Sequence, residues 1–375
     1  MSFFTSTTRD SNTAIEVQKY LKYFGLENFD LNSNWRDQFI KIINTPNMVP
    51  IINFNNNLYE YIYINKENEC LTKKFIKKKH IYSSSYNNII KCEDVLTSQD
   101  VVIRISQEDN NKEDLYMSFL DNLKNIVLYI YSKCYMETKI MPEIFAFGFN
   151  YKNNTFCLIM EHINYQFKDF INLHFTINIS KINHMICNIF KLLECLNYHG
   201  LKFRHGDLKF NNILVEPTGE PLLIDFGLSS FILPNSSVIF NPVKIDSNVI
   251  IDYHYKYPEL DTFISDKLNM THDIILLIMS CYYIIAITTE KELQMLMNTN
   301  LTDVKCIVDG RELYKYMRSF FKISTKKEYI DKIYQYKLYF DSYSNIDIFR
   351  DIRNGFIDSK TMIIFDYSDI VKYIS

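Results

Sequence analysis

The sequence predicts an α+β chain of two lobes, a small antiparallel β-sheet lobe followed by a mainly helical large lobe. Three observations carry that expectation. Short β-like runs flank one long helical stretch between residues 75 and 160. After residue 165 the apolar periodicity becomes helical. No Pro- or Gly-rich linker and no internal repeat interrupts the 375 residues. A chain of this length can bury a sizeable core, as one large two-lobed domain or as two to three small ones.

Residues 1–72 read as an N-terminal extension of unknown role. Ala14–Phe24 places Ile15, Val17, Tyr20, Leu21 and Phe24 at helical spacing, with Gly25 as a C-cap, and Asn53–Glu67 alternates as strands do. Residues 73–161 read as the small lobe. Phe75–Tyr82, Tyr86–Cys92 and Val101–Ser106 are β-like, and Lys112–Tyr135 is helical. Glu143–Phe149 and Thr155–Met160 follow as strands, joined by a turn at Tyr151–Asn154. Residues 162–375 read as the large lobe. Its helix over Ser180–His199 opens on a candidate N-cap serine and buries a face that includes Met185, Ile189, Leu193 and Leu196.

Composition removes several function classes. The formal net charge of −3 gives no basic excess of the kind a nucleic-acid binder carries. The densest basic run, Lys73–Lys79 before His80, reads as the solvated face of a strand. Eight cysteines stand singly with no C-x-x-C pair, which argues against a zinc site or disulfide framework and for a reducing compartment. No signal peptide is visible. The longest apolar run, Ile274–Ile287, is short for a bilayer span and reads as a core helix. Neither a nucleic-acid partner nor a membrane span is expected. Ile, Asn, Lys, Tyr and Phe, whose codons are A/T-rich, abound, while Gly, Pro and Trp are few. That bias points to an A+T-rich genome, such as that of a large DNA virus or certain protists. A viral origin would place the protein in the host cytoplasm or the virion.

The chemistry concentrates at 205–227. There the chain reads His205-Gly-Asp207-Leu-Lys209-Phe-Asn-Asn212, a strand over Ile213–Val215, a Pro/Gly turn, a strand over Pro221–Ile224, and Asp225-Phe226-Gly227. Phosphoryl transfer needs a carboxylate to orient and deprotonate a hydroxyl. It also needs oxygen ligands for a metal on the phosphates, and a cation against the charge that develops. Asp207 can be the base and Lys209 the cation. Asn212 and Asp225 offer hard oxygens suited to Mg²⁺.

These motifs resemble those of the eukaryotic-type protein kinases, H-R-D-L-x-x-x-N and D-F-G, with Gly206 in the arginine position. The resemblance extends over most of 75–290. Leu158-Ile-Met160-Glu161-His-Ile163 resembles the last small-lobe strand and hinge. Tyr257-Pro258-Glu259 resembles the motif that closes the activation segment. Asp273 stands where the family places an aspartate that braces the catalytic loop. The resemblance implies a bilobal protein-kinase-like fold, ATP and Mg²⁺ as cofactors, and a protein substrate. ATP is then expected between the lobes, under Ile81–Ile89, with Met160 as gatekeeper and Glu161 and Ile163 facing adenine. Asp207 and Lys209 are the implied catalytic residues, and Asn212 and Asp225 the implied metal ligands.

Departures from the family pattern are informative. Tyr82, Ser84 and Asn87 stand where the phosphate-binding loop has glycines, so side chains should loosen that cradle. Val101-Val-Ile-Arg104 resembles V-A-I-K with Arg104 in the lysine position; Lys91 is the alternative phosphate ligand. The helix acid that pairs with this cation is Asp121, Glu113 or Asp114, with Asp121 nearest by spacing. Gly206 implies activity without activation-loop phosphorylation, and Asp252 is expected to reach Lys209 when substrate is bound. A serine/threonine protein kinase is the leading reading. A pseudokinase or scaffold that binds nucleotide without turnover is the second. A small-molecule kinase of the aminoglycoside/choline type, which also uses H-G-D, is the third.

Overall fold

The computed structural model describes residues 13–241, except 47, 66–68, 84–86, 108–110, 168–178, 199 and 209, together with 273 and 277. They fall into two compact units. One holds the described residues up to Ile163 with 200–201 and 224–241; the other holds 164–198, 202–223, 273 and 277.

The first unit is built on a curled sheet. Its spatial order is β1 (Ile51–Asn55), β2 (Leu58–Ile64), β3 (Cys70–Ser83), β4 (Asn87–Asp94), β5 (Asp100–Ser106), β7 (Thr155–Glu161) and β6 (Ile144–Asn150). Neighbours run antiparallel, and the outer strands β1 and β6 touch at one parallel pair, Ile51 opposite Phe149. Side-chain alternation gives the sheet two faces. Ile90, Cys92, Ile103, Ile105, Cys157 and Ile159 point one way and close a core with Ile52, Tyr59, Tyr61 and Phe75. The basic run falls on β3, an almost wholly exposed strand, as its charge suggests.

The other face receives helix α3 (Lys112–Tyr135), capped by Asn111, whose side chain accepts from the Glu113 amide. Phe119 of α3 packs against Phe156 and Phe147, with ring centroids 5.5 and 6.4 Å away. Every residue of α3 from Asp121 to Ser132 is buried. The extension explains this. Helices α1 (Thr13–Leu21) and α2 (Trp35–Asn44) pack on α3, with Phe24 edge-on to Tyr129 and Phe39 against Tyr116 and Phe119. Gly25 ends the turn after α1 at φ 69, and a Cβ there would lie 2.0 Å from the Pro50 ring. Trp35 also stacks on Phe240 of the hairpin β11 (Phe231–Ile232) and β12 (Ile239–Phe240), at 4.9 Å.

In the second unit, β8 (Tyr165–Gln166), β9 (Ile213–Val215) and β10 (Pro221–Leu223) pair antiparallel in the order β10–β9–β8. Helix α4 is described over Ile179–Tyr198, with Ser180 inside it; the residues before Ile179 lie outside the described ones. Tyr257–Glu259, Asp252 and the run Ile274–Ile287 lie outside the described residues, apart from Leu277, which is buried. No described helix is long and apolar enough to cross a membrane. Cys70, Cys92, Cys134, Cys157 and Cys195 are free thiols.

Candidate active site

In the first unit, β5 sends Ile103 and Ile105 into the sheet core and Arg104 to the opposite face, toward α3. Arg104 is 8% exposed and forms an ion pair with Asp121 of α3. Burial alone would lower the guanidinium's pKa; the carboxylates of Asp121 and Asp225 outweigh it and raise it. Asp121 is thus the acid that meets this cation. Glu113 instead holds Arg36 at the helix's exposed start. Lys91 lies on the same sheet face, opposite Val102, and its amine pairs with Asp100 at 2.7 Å.

The β3–β4 hairpin pairs Ser83 with Asn88 and Tyr82 with Ile89; its tip, 84–86, is outside the described residues. Ile81 falls at a register shift and is exposed, while Ile89 sits opposite Arg104 and is half-buried. Met160 stands opposite Val102 on β5 and Ile144 on β6. The Glu161 amide donates to the Glu143 carbonyl at 2.9 Å, and its carboxylate holds Lys139 at 2.7 Å. Ile163 follows the strand, half-buried.

Asp225 is exposed and has φ 63, a left-handed conformation uncommon outside glycine. Phe226 after it is fully buried, and its carbonyl accepts from the Ser229 amide at 2.9 Å and hydroxyl at 2.7 Å. From α3, the Lys124 amine reaches the carbonyls of Gly227 at 3.0 Å and Ser229 at 2.8 Å. Sequence reasoning missed Lys124. No local signal marks it, since its neighbours Asp121, Asn122 and Asn125 are polar in sequence and buried only in the fold.

Lys124 is 1% exposed, and burial pushes its amine down to about 7 from 10.5, against the pull of Asp121 and Asp225. Between those values the unfolded chain binds a proton that the folded chain does not. Stability should therefore rise with pH from about 7 toward 10.5, with the burial penalty fully present below 7. Melting curves of wild type and Lys124→Met across that range should show wild type gaining relative to the variant. Parallel pH dependences would contradict this.

In the second unit, the loop between α4 and β9 is anchored from three sides. Asn197 of α4 donates to the Phe203 carbonyl at 3.2 Å. Asp273, fully buried, accepts the backbone N–H groups of His205 at 2.7 Å and Gly206 at 2.9 Å, one on each carboxylate oxygen. Burial raises the Asp273 carboxyl, opposed by His205, Arg204 and those two amides. Gly206 has φ 80, so glycine there relieves backbone strain as well as removing an arginine. The buried Asn212 donates through Nδ2 to the Asp207 carbonyl at 2.8 Å and carboxylate at 3.0 Å. That use of its N–H₂ group leaves the amide oxygen as the atom suited to a cation. Asp225, in the first unit, offers an exposed carboxylate; each is by itself a hard oxygen donor of the kind a divalent metal takes. Lys209 lies outside the described residues.

A family model described as "Protein kinase domain" matches residues 75–273, more than half of the chain. The chain belongs to the protein kinase family, whose fold is bilobal and whose members use ATP and a divalent metal. Over 184 residues it is 26% identical to cyclin-dependent kinase 12 of Caenorhabditis elegans, across 48% of this chain and 24% of that protein. The chain thus spans about a quarter of that relative's length.

Proposed function

We propose that this protein is a serine/threonine protein kinase that uses ATP with Mg²⁺. The observation that carries the reading is the buried Asp273 carboxylate bonded to two consecutive loop amides, with Asn212 fixed on Asp207 in the same loop. A binding scaffold needs no such positioning of a half-exposed aspartate. The Asp-Leu-Lys-x-x-Asn order supports the serine/threonine branch, and the Asp-Phe-Gly, Pro-Glu and Asp273 motifs favour a protein over a small-molecule acceptor.

Asp207 accepts the proton as the acceptor's hydroxyl oxygen bonds to the γ-phosphorus. The bond from that phosphorus to the β–γ bridging oxygen breaks, and ADP leaves with the electron pair. Asn212 restrains the Asp207 carboxylate, and Lys209 is assigned to the transferred charge. Asn212 and Asp225 would hold Mg²⁺, which would supply positive charge against the phosphate oxygens. Arg104, paired with Asp121, is assigned to the α/β-phosphates in preference to Lys91, which Asp100 engages. Ile81, Ile89, Met160, Glu161 and Ile163 are assigned to the nucleotide's adenine side. The side chains at Tyr82, Ser84 and Asn87 support a second reading, nucleotide binding without turnover.

Transfer from γ-labelled ATP to casein, basic protein and the chain itself tests the proposal. Magnesium-dependent labelling of serine or threonine that Asp225→Ala abolishes is the expected result. ATP binding with no transfer to any acceptor would favour the second reading. Because Gly206 replaces the arginine that in the family grips an activation-loop phosphate, phosphatase treatment should leave the rate within about twofold of untreated enzyme. A large loss would refute that independence.

A further inference from the structure

We propose that Lys124 is a positioning residue for the metal-binding carboxylate, holding Asp225 in its left-handed conformation by gripping the carbonyls two and four residues further on. The proposal rests on the assignment of Asp225 to the metal. Asp121 and Lys124 are three residues apart on α3 and so share a helix face. Asp121 meets Arg104 on β5, while the Lys124 amine meets the carbonyls of Gly227 and Ser229. The turn they belong to is closed on its other side by its own bonds, from the Ser229 amide and hydroxyl to the Phe226 carbonyl. Phe226, fully buried, fixes the step between this turn and Asp225.

A non-glycine residue at φ 63 is in an uncommon conformation that costs free energy and is kept where the surroundings favour it. The surroundings of Asp225 are this turn, and the turn's tie to α3 is Lys124. One helix face therefore sets both the partner of Arg104 and the geometry of Asp225. An aliphatic side chain would fill the same space without the cost of burying an amine. What the lysine adds is donors that reach two carbonyls at once.

The test uses full-length Lys124→Met, which keeps an unbranched stem one atom shorter and loses the donors. ATP affinity is measured by calorimetry with and without Mg²⁺, alongside the rate as a function of Mg²⁺. Supporting partners of metal sites change affinity or activity by about 10–100-fold. The variant should lose the magnesium enhancement of ATP binding and need about tenfold more Mg²⁺ for half-maximal rate, at nearly unchanged metal-free ATP affinity. A folded variant with wild-type magnesium dependence would overturn the proposal and leave Lys124 a core-filling residue. If wild type transfers no phosphate, the kinase reading fails, yet the binding comparison still decides the role of Lys124. Should Lys124→Met not fold, Lys124→Gln replaces it. Its N–H₂ group is one bond shorter, so weakened magnesium enhancement is expected and a wild-type value overturns the proposal.

Discussion

Asp207→Asn should lower kcat by about 10²–10⁴-fold while leaving the melting temperature nearly unchanged. Asparagine keeps the size of the side chain and an oxygen that can accept from Asn212 Nδ2, now 3.0 Å from the carboxylate. What it cannot do is take a proton from the acceptor hydroxyl. Asp207 is only half-buried, so removing its charge leaves no stranded partner in the interior. Steady-state rates with labelled ATP, alongside thermal melts, check both halves. A variant that keeps a tenth or more of the rate would remove Asp207 from the role of base.

Arg104→Met should be the most damaging substitution for stability. It leaves the Asp121 carboxylate buried without its partner, which typically costs about 3–5 kcal/mol. For a chain of this kind that corresponds to a fall in melting temperature on the order of 10 °C. Adding Asp121→Leu should recover most of the stability, since an apolar pair of similar volume is often as stable as a buried ion pair. Activity should not return, because the double variant lacks the cation assigned to the α/β-phosphates. A double variant that recovers both would show that the pair serves folding alone.

The parts legible in the sequence were those whose chemistry fixes residue type and spacing together. His205 through Asn212 and Asp225 through Gly227 could be read because phosphoryl transfer demands those groups at those intervals, and Asp273 because it stands where the family places a bracing aspartate, just ahead of an apolar run. The helix over Ala14–Phe24 with Gly25, and the order of three strands, a helix and two strands, followed from periodicity and turn residues. Asp121 could be named only as the candidate nearest by spacing, because Glu113 and Asp114 precede it on α3 and only packing chose among the three. Helix α2 escaped notice although Asn34 is an evident N-cap, its side chain accepting from Arg36 and Asp37. Its apolar residues are interrupted by Arg36, Asp37, Gln38 and Lys41, which weakens the periodic signal. Lys124 was illegible in a different way. Local rules place a lysine on a solvated face, and only the arrangement of α1, α2 and the sheet around α3 buries it.

That arrangement also bears on how the enzyme can be controlled from outside. The outer side of α3 is taken by Phe24, Phe39 and Arg36 of the chain's own first helices. A regulator that works by pushing on α3 must compete with a tethered neighbour whose effective concentration is of order millimolar. A free partner of equal intrinsic affinity, present at micromolar concentration, loses that contest, so leverage on this helix belongs first to the chain itself.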